Sequence, residues 1–224
     1  MVKCWANGYC RRKSEENCND TCIGYILLNT LYIQSGMPKV YQYGQKLKVE
    51  KADELVYKEL KKYVTNIVHN VDNGKGLFLY GSTGTGKTSL ACVAMNEYFR
   101  KVAFTAMAEC TGVYLRVPKF LEDYRKSYGT EDVKFQELLE NVNHAKIVLF
   151  DDIGAEKPSE WVRERLLAII DERVSSGLCN IFTSNLTIRQ LESGEILGSR
   201  IASRILGCTT QYEFKGADKR RIGI

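Results

Sequence analysis

The feature that most constrains this 224-residue chain is an octapeptide that matches the phosphate-binding pattern G-x-x-x-x-G-K-[ST]. It consists of Gly81, Ser82, Thr83, Gly84, Thr85, Gly86, Lys87 and Thr88. Its glycines let the backbone curl so that successive N–H groups point at phosphate oxygens, and Lys87 adds a full positive charge. A strand-like apolar run at 76–80 precedes it and a helical pattern follows it, as the motif requires. The octapeptide therefore predicts a site for a nucleoside triphosphate such as ATP, with the Thr88 hydroxyl placed to hold Mg²⁺.

A second motif combines an apolar strand with two consecutive carboxylates. The strand is predicted at 146–151, so that Asp151 ends it and Asp152 follows at once. Ligands of parallel sheets bind at the carboxyl ends of the strands, and both side chains are therefore expected beside the octapeptide. We predict that Asp151 holds Mg²⁺ and that Asp152 orients or deprotonates the attacking water.

Further polar residues follow in the last third of the chain. Asn185 comes directly after a strand predicted at 180–184, and its neutral amide can bond to a γ-phosphate or to the lytic water. Arg200 and Arg204 are one helical turn apart, which places both on one helix face. A guanidinium is suited to neutralising charge on a transferring phosphoryl group. We therefore predict functional roles for Asn185 and for this arginine pair.

Strand and helix patterns alternate from the octapeptide to the C-terminal region. Helices are predicted at 51–71, 87–101, 119–128, 131–142, 159–175 and 195–206, and strands at 76–80, 112–117, 146–151, 180–184 and 209–214. This alternation predicts an α/β fold with a mainly parallel sheet flanked by helices. An earlier helical stripe that includes Ile23, Ile26 and Ile33 ends before Pro38. We place a domain boundary there, between a module at 1–37 and an ATPase domain at 38–224.

Composition excludes several classes of protein. Hydrophobic residues make up 44% of the chain and charged residues 26%, which is enough for a substantial core. No apolar stretch approaches the roughly 20 residues of a membrane span, and no signal-peptide pattern opens the chain. We therefore expect a cytoplasmic protein without a membrane partner.

The formal net charge is +5, and basic residues cluster near the start, at 116–126 and at the C-terminal end. Such clusters suit a polyanion, and Tyr124 and Tyr128 stand near the middle one. We predict weak, salt-sensitive binding of single-stranded DNA there. A solvated helix face is the alternative, because Glu122 and Asp123 lie among the basic residues.

Four of the eight cysteines lie in the first 22 residues, at Cys4, Cys10, Cys18 and Cys22. Four thiolates within reach of one ion can form a tetrahedral structural zinc site. Metal would also supply stability that so short a segment cannot obtain by burial. The sequence therefore predicts a small zinc module, with an iron–sulfur cluster and unligated cysteines as the alternatives.

Together, the octapeptide, the 149–154 segment with its two aspartates, the 183–186 segment around Asn185 and the helix with Arg200 and Arg204 resemble the DnaC/DnaI helicase-loader group of AAA+ P-loop ATPases. The resemblance covers residues 38–224, and the short architecture is similar to a phage-encoded or mobile-element version. It implies an ATP-dependent loader that assembles on a DnaB-type replicative helicase and helps to place it on single-stranded DNA.

The resemblance also implies roles for single residues. Asn185 takes the sensor-1 role, Arg204 is the arginine finger that reaches a neighbouring subunit of a self-oligomer, and Arg221 takes the sensor-2 role. The adjacent Arg220 is an alternative for sensor 2. Many AAA+ proteins have glutamate at the position of Asp152, and the module before Pro38, which is expected to dock on the helicase, is shorter than the family's usual helicase-binding domain.

Three other functions fit parts of the pattern. An IstB-like transposition helper has a similar ATPase core but a transposase as its partner. A nucleotide kinase would need an arginine-rich lid that binds a phosphoryl acceptor, and an adaptor would bind ATP without turnover. Phosphate release from ATP without an acceptor would exclude the kinase, and absence of release would favour the adaptor.

Overall fold

A computed structural model of the chain contains a parallel sheet between two layers of helices. It describes residues 18–43, 49–105, 110–127, 129, 131–155 and 159–219. The strands are β1 (Gly76–Gly81), β2 (Gly112–Arg116), β3 (Ile147–Asp151), β4 (Cys179–Ser184) and β5 (Thr209–Phe214). The helices are α1 (Ile23–Ser35), α2 (Glu54–Thr65), α3 (Ile67–Asp72), α4 (Lys87–Val102), α5 (Val117–Ser127), α6 (Val133–His144), α7 (Glu160–Ser175), α8 (Ile188–Leu191) and α9 (Ser199–Cys208). The predicted α/β class is confirmed.

The order of the strands decides which loops meet. The sheet runs β2-β3-β4-β1-β5, and all four pairings are parallel. Tyr80 on β1 is paired with Ser184 on β4, and Phe150 on β3 is paired with Phe182 on β4. The carboxyl ends of β1, β4 and β3 therefore lie side by side, and the segments that follow them converge at one edge.

Alternate residues of each strand fill two cores, one on each face of the sheet. On β1, Leu77 and Leu79 belong to a core shared with α1, α2, α3 and α4, whereas Phe78 belongs to a core shared with α5 to α9. A pleated strand points successive side chains to opposite faces, so a strand covered on both sides reads as a continuous apolar run. None of the described helices is long and apolar enough to cross a membrane.

Helix α1 packs on the first of these cores, against α4 and β2. Its buried side chains are Leu28, Leu31, Tyr32 and Ser35. Three isoleucines expected on its apolar stripe are instead exposed, namely Ile23 (69%), Ile26 (47%) and Ile33 (81%). The predicted stripe is therefore only partly correct: its isoleucines are exposed, whereas Leu31 and the partly buried Leu27 of the same stripe pack on the core beside Tyr32. Leu28, Leu31, Tyr32 and Met37 share the core on this face of the sheet, and the domain boundary at Pro38 stays a prediction.

Two predicted helix boundaries are wrong, each for a local reason. The helix expected at 51–71 is divided into α2 and α3 at Asn66, whose side chain donates to the carbonyl of Lys62 at 3.2 Å. An asparagine that bonds to nearby backbone competes with the helix ladder. The last helix begins at Ser199 rather than at 195, because Gly198 has a φ of 84° and cannot continue a helix.

A buried arginine on α7 connects β4 to the end of α6 through hydrogen bonds. Arg173 on α7 is fully buried and donates to the carbonyls of Ala145 (3.0 Å) and Cys179 (2.9 Å), to the carbonyl of Val142 and to Asn180 Oδ1 (2.6 Å). These partners are neutral, and burial lowers the pKa of the guanidinium to about 10. The side chain satisfies the carbonyls at the end of α6 and at the start of β4.

We predict that Arg173→Leu lowers the free energy of unfolding by about 3 to 5 kcal/mol, because it leaves several buried carbonyls without a donor. Denaturant unfolding of the purified protein measures the change. Arg165→Ala is the control, since Arg165 is exposed on the same helix and lies over the Trp161 ring at 5.9 Å. It is expected to cost less than about 1 kcal/mol. Equal stability of the Arg173 variant and the wild type would contradict this account.

Candidate functional site

Lys87, the first residue of α4, is held by oxygen atoms from two converging segments. Its ammonium donates to the carbonyls of Gly81 (2.9 Å) and Ser82 (2.8 Å) and to Asn185 Oδ1 (3.0 Å). The side chain is only 6% exposed. A buried ammonium needs such partners, because desolvation of an unpaired charge is costly. These three acceptors are neutral oxygen atoms, and a phosphate oxygen is a stronger acceptor for an ammonium than any of them.

The octapeptide curls through backbone conformations that favour glycine. Gly84 has a φ of 77° and Gly86 a φ of 98°. A Cβ on Gly84 would also clash with the carboxylate of Asp218. The Thr85 hydroxyl donates to the Ser82 carbonyl at 2.9 Å and closes the turn. This is the geometry in which the N-terminus of a helix and the preceding loop bind phosphate.

Three hydroxyl groups hold the carboxylate of Asp151. Thr88 and Thr183 each donate to its Oδ1 at 2.7 Å, and Tyr114 donates to its Oδ2 at 2.7 Å. Burial, followed by the charge of Asp151, raises the pKa of the Tyr114 phenol, so the hydroxyl keeps its proton. The carboxylate and the adjacent Thr88 hydroxyl are hard oxygen ligands of the kind that Mg²⁺ prefers. The residues present therefore fit the predicted magnesium site.

Asp152 has a left-handed backbone conformation, with a φ of 62°. Its N–H donates to Thr183 Oγ1 at 2.9 Å, and its Oδ1 accepts from Asn185 Nδ2 at 3.0 Å. Positive φ is uncommon outside glycine, although aspartate and asparagine tolerate it best, and such residues cluster at functional sites. The Asn185 amide thus connects the ammonium of Lys87 to the carboxylate of Asp152.

These side chains line one cleft of about 830 Å³, which also contains Tyr41, Arg116 and Lys219 in its wall. The volume lies in the range of small-ligand sites. The Lys219 ammonium donates to the Tyr57 hydroxyl at 2.9 Å, and its backbone N–H donates to the Gly84 carbonyl at 3.0 Å. The C-terminal segment therefore lies directly against the phosphate-binding loop.

The buried carboxylate of Asp53 anchors this segment. Its oxygens accept from the backbone N–H groups of Lys215 at 2.8 Å and Gly216 at 3.2 Å. Arg220 and Arg221, the two candidates for sensor 2, lie outside the described residues. Lys219 is the cation that the described part of this segment contributes to the cleft wall.

Arg204 lies apart from the cleft. Its side chain is 55% exposed and is paired with Asp171 on α7. Among the residues that the structure describes, neither Arg204 nor Arg200 belongs to the lining of the cleft that contains Lys87 and Asp152. The structure brings together every other described residue that the sequence assigned to catalysis or to magnesium.

The predicted zinc ligands are only partly within the described chain. Cys4 and Cys10 lie outside it, whereas Cys18 and Cys22 are free, half-buried thiols. Over the described ranges, no group of three or more histidine, cysteine, aspartate or glutamate side chains is placed to hold a metal. The zinc site therefore stays a prediction.

The basic stretch around α5 differs from the sequence expectation. The Tyr124 ring makes edge contacts with Phe120, Phe135 and Trp161 at centroid distances of 5.8, 5.3 and 5.2 Å. Lys119 pairs with Asp123 at 2.7 Å, and Lys126 pairs with Glu122. These aromatic side chains of the protein itself pack against the Tyr124 ring. The expected stacking of bases on Tyr124 is therefore not supported. Tyr128 lies outside the described residues.

Sequence reasoning missed the contacts of Tyr114, Thr183 and Lys219. Tyr114 stands one strand away from Asp151, and only the register of β2 with β3 brings the two together. Thr183 could have been found, since it lies on β4 two residues before Asn185, which directly follows that strand. The only sequence feature that pointed to Lys219 was its place in the C-terminal basic cluster.

The comparisons with known proteins assign the chain to a family. The sequence model of the IstB-like ATP binding proteins matches residues 45–221. The chain belongs to this family. The replicative helicase loader DnaI of Bacillus subtilis is 30% identical over 158 residues, which cover 66% of this chain and 48% of DnaI. The replicative helicase loader DnaC of Escherichia coli K12 is 23% identical over 62% of this chain and 53% of DnaC. The chain thus spans about half the length of these relatives.

Solved structures show the same fold. A crystal structure of the DnaC helicase loader has a TM-score of 0.64 and 23% identity, and covers 80% of this chain and 100% of that one. A DnaI crystal structure has a TM-score of 0.63 and 23% identity, with coverage of 82% and 94%. AMPPCP-bound DnaA from Aquifex aeolicus has a TM-score of 0.58 and 22% identity, with coverage of 78% and 50%. The fold is that of the AAA+ P-loop ATPases, as predicted.

We predict that Lys87→Ala weakens ATP binding roughly 100-fold, because it removes charge-assisted bonds to phosphate. Asp152→Asn should keep binding and slow hydrolysis by roughly 10² to 10⁴, since asparagine tolerates the same backbone conformation but accepts no proton. Equilibrium binding of a fluorescent ATP analogue and phosphate release measure the two effects. Lys119→Ala is the exposed control, and equal loss of binding in both site variants would contradict the assignment.

Proposed function

We propose that this protein is a Mg²⁺-dependent ATPase that loads a DnaB-type replicative helicase onto single-stranded DNA. The observation that carries the ATPase proposal is the continuous contact from Lys87 through Asn185 to Asp152. It links the cation that binds phosphate to the carboxylate that directs water. The similarity to the loader DnaI over 66% of the chain supports helicase loading as the purpose of this chemistry.

In this proposal the loop and Lys87 bind the triphosphate. The curled backbone directs N–H groups at phosphate oxygens, and the N-terminus of α4 adds a favourable dipole. Lys87 can exchange its contact with Asn185 Oδ1 for a phosphate oxygen, because an ammonium bonds more strongly to an anion than to a neutral amide. Binding of the nucleotide would then free the amide oxygen of Asn185 for a water molecule.

Asp151 and Thr88 would hold Mg²⁺. When bound, the ion neutralises charge on the β- and γ-phosphate oxygens. Asp152 orients the attacking water and accepts its proton, and the Asn185 amide, bonded to Asp152 Oδ1 at 3.0 Å, keeps the carboxylate in one orientation. Thr183 supports both aspartates, since it donates to Asp151 and accepts from the Asp152 N–H.

The proposal also includes assembly. Arg204 on α9 is 55% exposed and does not line the described cleft of its own chain, which supports a role for its guanidinium at the cleft of a neighbouring subunit. Release from Asp171 would precede that contact. We further propose that residues 1–37 dock on the helicase, with Cys4, Cys10, Cys18 and Cys22 binding one zinc ion, and that loading takes place in the cytoplasm.

Capture of the helicase tests the loading proposal. The tagged, full-length protein is mixed with the replicative helicase of its own host, with ATP, with ADP and without nucleotide. We expect a complex that depends on ATP and that is weakened when Lys87→Ala is the only form of the protein present. A complex with a transposase, and none with the helicase, would instead support the IstB-like function. ATP binding without phosphate release in the helicase complex would support the adaptor.

Mixing two inactive variants tests the role of Arg204. In a mixed oligomer, some interfaces combine the intact loop of Arg204→Ala with the intact finger of Lys87→Ala. We predict that these interfaces restore phosphate release on the helicase, because an arginine supplied in trans is worth roughly 10³-fold or more in rate. Arg189→Ala is the control for loss of a positive charge, because Arg189 is an exposed arginine on α8. A mixture that assembles but remains as inactive as either variant would contradict the trans assignment.

A further inference from the structure

Two tyrosines, Tyr41 and Tyr114, line the cleft although neither belongs to a phosphate-binding motif. Tyr114 lies in β2, and its ring packs at the edge of the core that α1 and α4 form with the sheet. Its hydroxyl donates to Asp151 Oδ2 at 2.7 Å. The phenol is the partner of this oxygen, whereas Thr88 and Thr183 share Oδ1. The three donors therefore act on both oxygens of the carboxylate.

A carboxylate that is bonded on both oxygens has little freedom to rotate. If the Tyr114 hydroxyl were removed, only the two bonds from Thr88 and Thr183 to Oδ1 would oppose rotation of the whole carboxylate about the Cβ–Cγ bond. Groups that hold a metal ligand in place affect metal affinity almost as strongly as the ligand itself, and their removal commonly costs 10- to 100-fold. The hydroxyl thus determines how well Asp151 is prepared for a cation.

The position of Tyr114 depends in turn on the segment that follows α1. The Tyr41 ring lies beside the Tyr114 ring, with a centroid distance of 6.3 Å and an interplanar angle of 33°. The Tyr41 carbonyl accepts from Asn96 Nδ2 at 2.7 Å, and Asn96 Oδ1 accepts from the Tyr32 hydroxyl. Tyr32 belongs to α1 and Asn96 to α4, so one hydrogen-bonded path leads from the N-terminal helix to the wall of the cleft.

We propose that Tyr114 is a positioning residue that presents Asp151 to Mg²⁺, and that the Tyr41 segment holds Tyr114 in the orientation required. This inference rests on the proposed function, since it requires that the cleft binds ATP together with Mg²⁺. It adds a residue to the magnesium site that the family motifs do not include. It also makes the segment after α1 part of the nucleotide site.

A Mg²⁺ titration of nucleotide binding tests the inference without relying on turnover. Binding of a fluorescent, non-hydrolysable ATP analogue is measured at increasing Mg²⁺ in the wild type, Tyr114→Phe and Tyr98→Phe. Tyr98 is the matched control, because it is a buried tyrosine on α4 whose ring packs in the same core. We expect Tyr114→Phe to raise the Mg²⁺ concentration for half-maximal binding about tenfold. Binding without Mg²⁺ and binding at saturating Mg²⁺ should be unchanged.

A second variant, Tyr41→Leu, removes the neighbouring ring and leaves the hydroxyl in place. It should shift the Mg²⁺ titration in the same direction by a smaller factor, and thermal unfolding of each variant shows whether the fold is retained. A Mg²⁺ requirement of Tyr114→Phe equal to that of the wild type and of Tyr98→Phe would overturn the inference while leaving the proposed function intact. If the wild type bound no nucleotide at any Mg²⁺ concentration, both would be overturned.

Discussion

The side-chain amide of Asn185 makes the contact on which the rest of the site depends. Its oxygen accepts from Lys87 and its nitrogen donates to Asp152. One neutral group therefore holds a buried cation and a carboxylate in fixed positions relative to each other. An apolar residue in its place would leave both groups without this partner in a partly desolvated cleft. The amide therefore gives each of the two side chains a hydrogen-bonding partner at the position where the ligand is expected.

The parallel sheet makes this contact possible. Lys87 follows β1, Asp152 follows β3 and Asn185 follows β4, and the strand order places these three carboxyl ends side by side. Helices on both faces bury β3 and β4 completely and β1 over 76–79, which holds the ends of these strands at fixed spacing. Arg173 reinforces the opposite, amino-terminal edge through the carbonyls of Ala145 and Cys179. The edge of the sheet that carries the cleft can therefore hold Asp152 in an unusual backbone conformation, because packing in the rest of the fold stabilises that conformation.

Residues close together in sequence were predictable, and contacts across strands were largely not. The octapeptide, the Asp151–Asp152 pair and Asn185 each follow a strong strand pattern, so their positions at one edge could be inferred from the parallel arrangement alone. Tyr114 carries no such pattern, because its importance comes from the register of β2 against β3. The face that α1 buries was predicted only in part, since isoleucine and leucine are equally apolar and only packing decides between them. Tyr124 shows the reverse error, in which an aromatic residue among lysines serves the core instead of a ligand.

The most direct test of the central claim is a crystal structure of the protein with Mg²⁺ and a non-hydrolysable ATP analogue. The decisive measurement is the distance from the Lys87 ammonium to the nearest phosphate oxygen and to Asn185 Oδ1. We expect that Lys87 contacts the β- and γ-phosphates, that the ion lies beside Thr88 and Asp151, and that the hydrogen bond between Asn185 and Asp152 remains. Phosphates bound away from Lys87, or an ion bound away from Asp151, would contradict it.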